Sequence, residues 1–215
     1  MALPTKVKEW LNARGITDPV IDANFLEWNG MQIVIPIFDQ EGNYVFSKYR
    51  RSPFGPETLP KYTYETGATA QLFNAHKIKD VSSVIIVEGE LDAMRLEVED
   101  WRGVSGTGGA GTFKDEWLPL FVGKEVYICF DNDEAGIKGA TKLLTKLPAK
   151  LVLIPRSEGV KDVTDYFKTH NFEDFHFLLS AAENYPILSE PVPEFKFIKD
   201  VEAQKKKYKY ALEHL

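Results

Sequence analysis

Apolar positions change their spacing along this chain, and each change predicts a different element. In residues 4–28, Val7, Trp10 and Leu11 recur at helical spacing, Gly15 supplies a stop, and Asp18-Pro19 opens a second segment; the pattern predicts two short helices. The stretch MQIVIPIFDQEGNYVFSKYRR then reads as two β-rich runs, roughly 31–38 and 43–50, flanking Glu41-Gly42-Asn43 as in a hairpin. Residues 51–66 are rich in Pro, Gly and Tyr without a clear period and are expected to form a loop. A subdomain boundary is placed near residues 74–80.

From Val81 the pattern becomes strand and helix in alternation. VSSVIIV is a continuous apolar run ending at Glu88, as expected of a strand buried on both faces of a parallel sheet. A helix at 91–99, a short strand near 102–105, the glycine-rich SGTGGAGT, a helix around 113–120, the strand EVYICF, a helix at 135–146 and the strand AKLVLIP follow. Helical pattern resumes near 163–184. This order predicts an α/β fold, an open parallel sheet flanked by helices with right-handed crossovers, preceded by a small α+β subdomain. The expected division is 1–78, 79–185, and 186–215 as a Pro-rich linker with a polar helix or tail.

Composition narrows the class. The 215 residues are 44% hydrophobic and 27% charged, as in soluble globular proteins. No apolar run approaches the ~20 residues that cross a bilayer, and MALPTKVKEW lacks a signal-peptide core, so a cytoplasmic protein with no membrane partner is expected. The single cysteine, Cys129, excludes internal disulfides and multi-cysteine zinc sites, and its place in VYICF predicts a buried, inert thiol. The net charge of −6 argues against coating nucleic acid over the whole surface, but an enzyme that concentrates carboxylates around a cation remains compatible with it.

Three acidic clusters fall at or just beyond strand ends: Glu88-Gly89-Glu90-Leu91-Asp92, Asp131-Asn132-Asp133-Glu134-Ala135-Gly136, and Lys161-Asp162-Val163-Thr164-Asp165. A single carboxylate there is as readily the N-cap of the next helix. Several at neighbouring strand ends, where open α/β sheets bind ligands, point to a divalent cation. Asp131 and Asp133, two apart, share a side in extended backbone and can share one hard cation. Oxygen donors without His or Cys suit Mg²⁺ or Mn²⁺. His76, His170 and His176 show no metal-ligand spacing and are read as surface or core residues.

EGxxD after one strand and DxDxAG after a later one resemble the signature of the TOPRIM domain, shared by bacterial-type primases, topoisomerases and some nucleases and recombination proteins. The primase version is the nearest. VIIVEGELDAMRL, VYICFDNDEAGIKGATKLL and KDVTDYF are similar to primase segments, and PIFDQEGNYVFSKYRRSP with PKYTYETGATAQLFN is similar to the stretch that precedes TOPRIM in the primase RNA-polymerase domain. LNARGITDPVIDANF looks like its start, so the resemblance covers roughly residues 10–170. It implies Asp131 and Asp133 as metal ligands, Glu88 as ligand or general base, and Asp92, Asp162 and Asp165 as secondary acidic positions. It also implies a nucleotidyltransferase that makes short RNA primers on single-stranded DNA from ribonucleoside triphosphates, with a replicative helicase as a further partner. Neither the zinc-binding domain that precedes the core in cellular primases nor a helicase domain is expected within these residues. The expectation is either a fragment of a larger protein or a compact primase-like protein from a phage or mobile element. A TOPRIM nuclease and a non-catalytic replication accessory module are the alternatives.

Lys48, Arg50, Arg51 and Lys61, with Tyr49, Tyr62 and Tyr64 interleaved, form a local basic cluster. Read alone, it either binds phosphates while aromatics stack on bases, or protects a hairpin edge; the resemblance favours binding by Lys48, Arg50, Arg51, Lys61 and Tyr62. SGTGGAGT lacks the lysine of a P-loop and is read equally as a phosphate-facing turn or a plain connection. The Lys205-Lys206-Lys207-Tyr208-Lys209 run is read as a solvated tail.

Overall fold

A computed structural model describes residues 1–155, 159–185 and Lys206. The two expected helices are present. Helix α1 (Thr5–Asn12) buries Val7 and Leu11, four apart on one face, and α2 (Asp18–Ala23) carries Pro19 in its first turn, where a missing N–H costs nothing. Gly15 between them has φ +76°, a conformation that strains residues carrying a Cβ, and lies against the Arg95 side chain.

An antiparallel sheet follows, in the order β1 (Glu27–Trp28), β2 (Gln32–Phe38), β3 (Tyr44–Arg51) and β4 (Tyr62–Tyr64). On β2, Ile33, Ile35 and Ile37 are fully buried, and opposite them on β3 stand Arg50, Lys48 and Phe46. Because side chains alternate along a strand, Phe46, Lys48 and Arg50 share the inner face, whereas Tyr49 and Arg51 take the other. Tyr64 and Tyr62 of β4 pair with Lys48 and Arg50 and so join them on the inner face. The 51–66 segment, expected as loop, therefore contributes a strand: Tyr-Thr-Tyr is short, but it completes a ladder that only the neighbouring β3 provides.

The second sheet has six strands in the order β10-β9-β8-β6-β7-β5, comprising β5 (Leu72–Phe73), β6 (Ser83–Val87), β7 (Gly103–Gly106), β8 (Glu125–Cys129), β9 (Ala149–Leu151) and β10 (Glu183–Tyr185). The four central strands are parallel and both edge strands antiparallel. Val84, Ile85 and Ile86 are fully buried, as a strand covered on both faces requires. Helices α3 (Glu90–Glu97) and α4 (Glu134–Leu144) lie in connections between parallel strands, and α5 (Val163–Tyr166) and α6 (Phe172–Ala181) between β9 and its antiparallel neighbour β10. The expected α/β fold with a preceding α+β portion is observed.

Several boundaries differ from the sequence reading. The helix expected around 113–120 is a 3-10 helix, Asp115–Phe121, with Pro119 inside it. The helical pattern at 163–184 splits into α5 and α6, because Asn171 and Asp174 form a capping box that starts a new helix. It ends in an antiparallel strand that the pattern did not reveal. The linker near 186–195 and the lysine-rich tail lie outside the described residues, Lys206 excepted. Among the described residues no helix is long and apolar enough to cross a membrane.

Candidate active site

The carboxyl ends of β6 and β8 and the start of α5 converge, and each carries an acidic residue. Glu88 and Gly89 follow β6 directly, so that Asp92 falls in the first turn of α3. Asp131 follows β8, and Asp133 caps α4 by accepting the Gly136 N–H at 2.9 Å. Gly136 is required there: a Cβ would come within 2.1 Å of the Asp131 carbonyl oxygen. Asp162 caps α5, accepting the Asp165 N–H at 2.7 Å. The Asn132 amide links two of the turns by donating to the Ile154 carbonyl at 2.6 Å, while its backbone N–H reaches the Lys161 carbonyl at 2.9 Å.

These turns bring one carboxylate oxygen each of Asp92, Asp131 and Asp162 within 4.8 Å of one another. Three oxygen donors at that separation, without nitrogen or sulfur, fit a hard divalent cation. Glu88 stands beside the group, half-buried, with Oε2 buried and without a hydrogen-bond partner. Burial, then the charges of Asp131 and Asp133, raise its proton affinity. Asp131 is likewise raised by burial and by Asp162, offset in part by Lys161 at 3.6 Å. Asp92 is raised by burial and Asp162, against the Thr164 N–H and hydroxyl, which donate to its Oδ1 at 3.0 and 2.6 Å. Crowded carboxylates that are costly to ionise together are what a cation relieves.

The acidic positions expected from sequence thus separate. Asp131 joins Asp92 and Asp162, both read as secondary, whereas Asp133 is outside that trio; one of its oxygens is occupied as a helix cap, although its charge still reaches Glu88 and Asp131. Asp165 is buried in an ion pair with Lys168 at 2.6 Å and does not line the cleft. Cys129 is buried, and burial holds its thiol well above the usual range, consistent with an inert side chain.

Opposite the carboxylates, the inner face of the antiparallel sheet closes one cleft of ≈ 270 Å³. Lys48, Arg50, Lys61, Tyr62 and Tyr64 line it, together with Arg14 from the turn after α1 and Gly108 and Gly109 of the glycine-rich loop. The Arg14 and Arg50 guanidinium carbons lie 4.7 and 4.4 Å from the Trp10 ring centroid, and the Nε atoms of both are buried without a partner. Burial lowers the proton affinity of Lys61, with Arg50 adding to the effect. Among the described residues, Arg14, Arg50 and Lys61 form no ion pair. Arg51 is on the outer face, where its Nη1 donates to the carbonyls of Pro56 and Leu59 at 3.2 and 2.7 Å and secures the loop. Arg14 was not found from sequence; its only signal was a basic residue beside a helix stop.

Residues 85–167 match the Toprim-like family. That segment is a TOPRIM-like domain, and the chain around it has the fold of primase catalytic cores. The Aquifex aeolicus primase, crystallised as its zinc-binding and RNA-polymerase domains, superposes with TM-score 0.71 and 21% identity over 84% of this chain, which spans 57% of that one. A DnaG primase catalytic domain bound to single-stranded DNA gives 0.67 and 18%, covering 84% of this chain and 73% of its own. The primase fragment of the bacteriophage T7 primase-helicase gives 0.64 and 22%, covering 78% and 72%. At these identities the likeness establishes the fold. No curated protein sequence matches the chain.

Proposed function

We propose that this chain is a primase-type nucleotidyltransferase, which joins ribonucleoside triphosphates into short RNA on a single-stranded DNA template with Mg²⁺ or Mn²⁺. The observation that carries the reading is the opposition, across one cleft, of a carboxylate trio and unpaired cationic side chains. A metal-bound polyphosphate requires both walls: oxygen donors for its cation and guanidinium or ammonium groups for its remaining charge.

In this reading Asp92, Asp131 and Asp162 hold the cation, with Glu88 and Asp133 at its margin. When bound, the ion polarises the phosphate under attack and neutralises charge on the leaving pyrophosphate. Arg14, Arg50 and Lys61 bind the polyphosphate and orient it. Glu88, with an unpartnered oxygen and a raised proton affinity, accepts the proton of the attacking 3′-hydroxyl. Tyr62 and Tyr64 present aromatic surface on the same wall, suited to packing against bases. The fold's occurrence in a primase domain bound to single-stranded DNA and in a primase-helicase supports a DNA template and a helicase partner.

Single-stranded DNA, the four ribonucleoside triphosphates and Mg²⁺ or Mn²⁺ should yield short labelled RNA from the purified protein. Glu88→Gln should suppress the product while leaving DNA binding near wild type. Metal-dependent DNA cleavage without nucleotide incorporation under any template or metal would replace this reading with a nuclease.

A further inference from the structure

Lys48 lines the cleft, yet its ammonium group is already committed. Nζ donates to Glu90 Oε1 at 2.6 Å and to the Thr107 carbonyl at 2.8 Å. It lies 4.3 Å from the centroid of the Tyr62 ring and 5.5 Å from that of Tyr64. The Lys48 and Glu90 side chains are only 6% and 1% exposed. Two of the three ammonium donors are used and aromatic rings crowd the group, an environment unlike that of a phosphate-binding lysine.

The pair also joins the two sheets at the place where their registers matter. Lys48 is two residues before Arg50 on the inner face of β3. Glu90 is two residues after Glu88 and two before Asp92. The Tyr64 hydroxyl donates to the same Thr107 carbonyl at 2.8 Å, so a second inner-face residue of the antiparallel sheet meets the same anchor.

We infer that the Lys48–Glu90 ion pair is a positioning device, which holds the basic wall of β3 in register with the acidic turns so that one metal-bound polyphosphate reaches both. Lys48 is a positioning residue and not a phosphate ligand. The inference rests on the polyphosphate reading of the cleft. A buried ion pair is a poor stabiliser: replacing both partners by apolar residues is often neutral, whereas removing one strands a buried charge. Stability and position can therefore be separated by comparing single with double variants.

The test uses the full chain, with inorganic tripolyphosphate and Mn²⁺ as the calorimetric probe and single-stranded DNA for the salt dependence. Lys48→Met and Glu90→Leu alone should each lower Tm. The double variant, with unchanged net charge, should recover Tm while its tripolyphosphate Kd stays weaker by about tenfold. Its salt slope for DNA should match wild type. Recovery of affinity together with Tm would make the pair merely structural and overturn the inference. A double variant and Lys48→Met with DNA salt slopes reduced by about 0.7, and Glu90→Leu with wild-type affinity, would make Lys48 a phosphate ligand and also overturn it. Glu90→Gln keeps the shape and an acceptor for Lys48, so it tests the pair even if the apolar variants do not fold; a loss of about threefold in affinity is expected, and none would count against the inference. Failure of the wild-type chain to bind tripolyphosphate overturns the inference, whereas absent primer synthesis with that binding intact overturns only the primase reading.

Discussion

The Asp92 carboxyl is pushed from its ordinary 3.8 up to about 7, chiefly by burial and then by the charge of Asp162. The folded state therefore binds more protons at this position than the unfolded chain, and its contribution to stability falls as pH rises from about 4 through about 7. Asp92→Asn, whose amide oxygen still accepts from Thr164, should stabilise the metal-free protein at pH 8 by roughly 1–2 kcal/mol, discounted for residual water contact, and by almost nothing at pH 4. Urea melts at the two pH values check this, and saturating Mn²⁺ should reverse the advantage. The basic wall gives a second test at the same scale. Arg50→Ala should reduce the salt slope of single-stranded DNA binding by roughly 0.7, whereas Arg51→Ala should leave the slope unchanged and loosen the 56–59 loop. Equal slopes for the two variants would contradict the assignment of faces made by the β2–β3 register.

At the scale of elements, the acidic site depends on how closely α4 approaches the end of β8. Gly136 sits where a Cβ would overlap the backbone of Asp131, which cannot move aside as a flexible side chain would. Helix propensity alone favours Ala over Gly by about 1 kcal/mol at such a position. Overlap with backbone should outweigh it, so Gly136→Ala is expected to cost about 1–3 kcal/mol and to displace Asp131. A chemical denaturation curve with Mn²⁺ calorimetry on the same variant checks both parts; unchanged stability with unchanged metal affinity would refute the tight approach. The caps at Asp133 and Asp162 belong to this scale as well. Each spends one carboxylate oxygen on starting a helix and so fixes the direction from which its turn enters the cleft.

For the whole molecule, the two sheets meet across a cleft whose acidic side crowds carboxylates that are costly to ionise together. Binding to the folded state alone stabilises by mass action, about 2.7 kcal/mol at a hundredfold excess over Kd. For a chain of this size that corresponds to a rise of roughly 5–10 °C in Tm. Mn²⁺ should produce such a rise, EDTA should remove it, and Asp131→Asn with Asp162→Asn should abolish it. An equal rise in that double variant, followed by scanning calorimetry, would place the ion elsewhere.

Much of this architecture was legible in the chain. The apolar runs VIIV and VYICF read as buried strands, and both are strands of the second sheet; the acidic and glycine residues directly after them pointed to its carboxyl edge, where open α/β sheets bind ligands. The hairpin around Gly42 was equally plain. What stayed hidden depends on contacts between distant segments. Three-residue Tyr62–Tyr64 carries too little pattern to declare a strand, and becomes one through its ladder with β3. Asp133 reads from the sequence as a metal ligand and Asp92 as a secondary acidic position, but Asp133 caps a helix while Asp92 is turned toward Asp131 and Asp162. Lys48, Arg50 and Arg51 form one basic run in sequence, yet the sheet register and the packing of Glu90 and Thr107 make them an ion-pair strut, a cleft cation and a loop staple. Local pattern determined which residues form elements and where ligands approach; only tertiary packing, by choosing each side chain's partner, decided which charges remain available to a ligand.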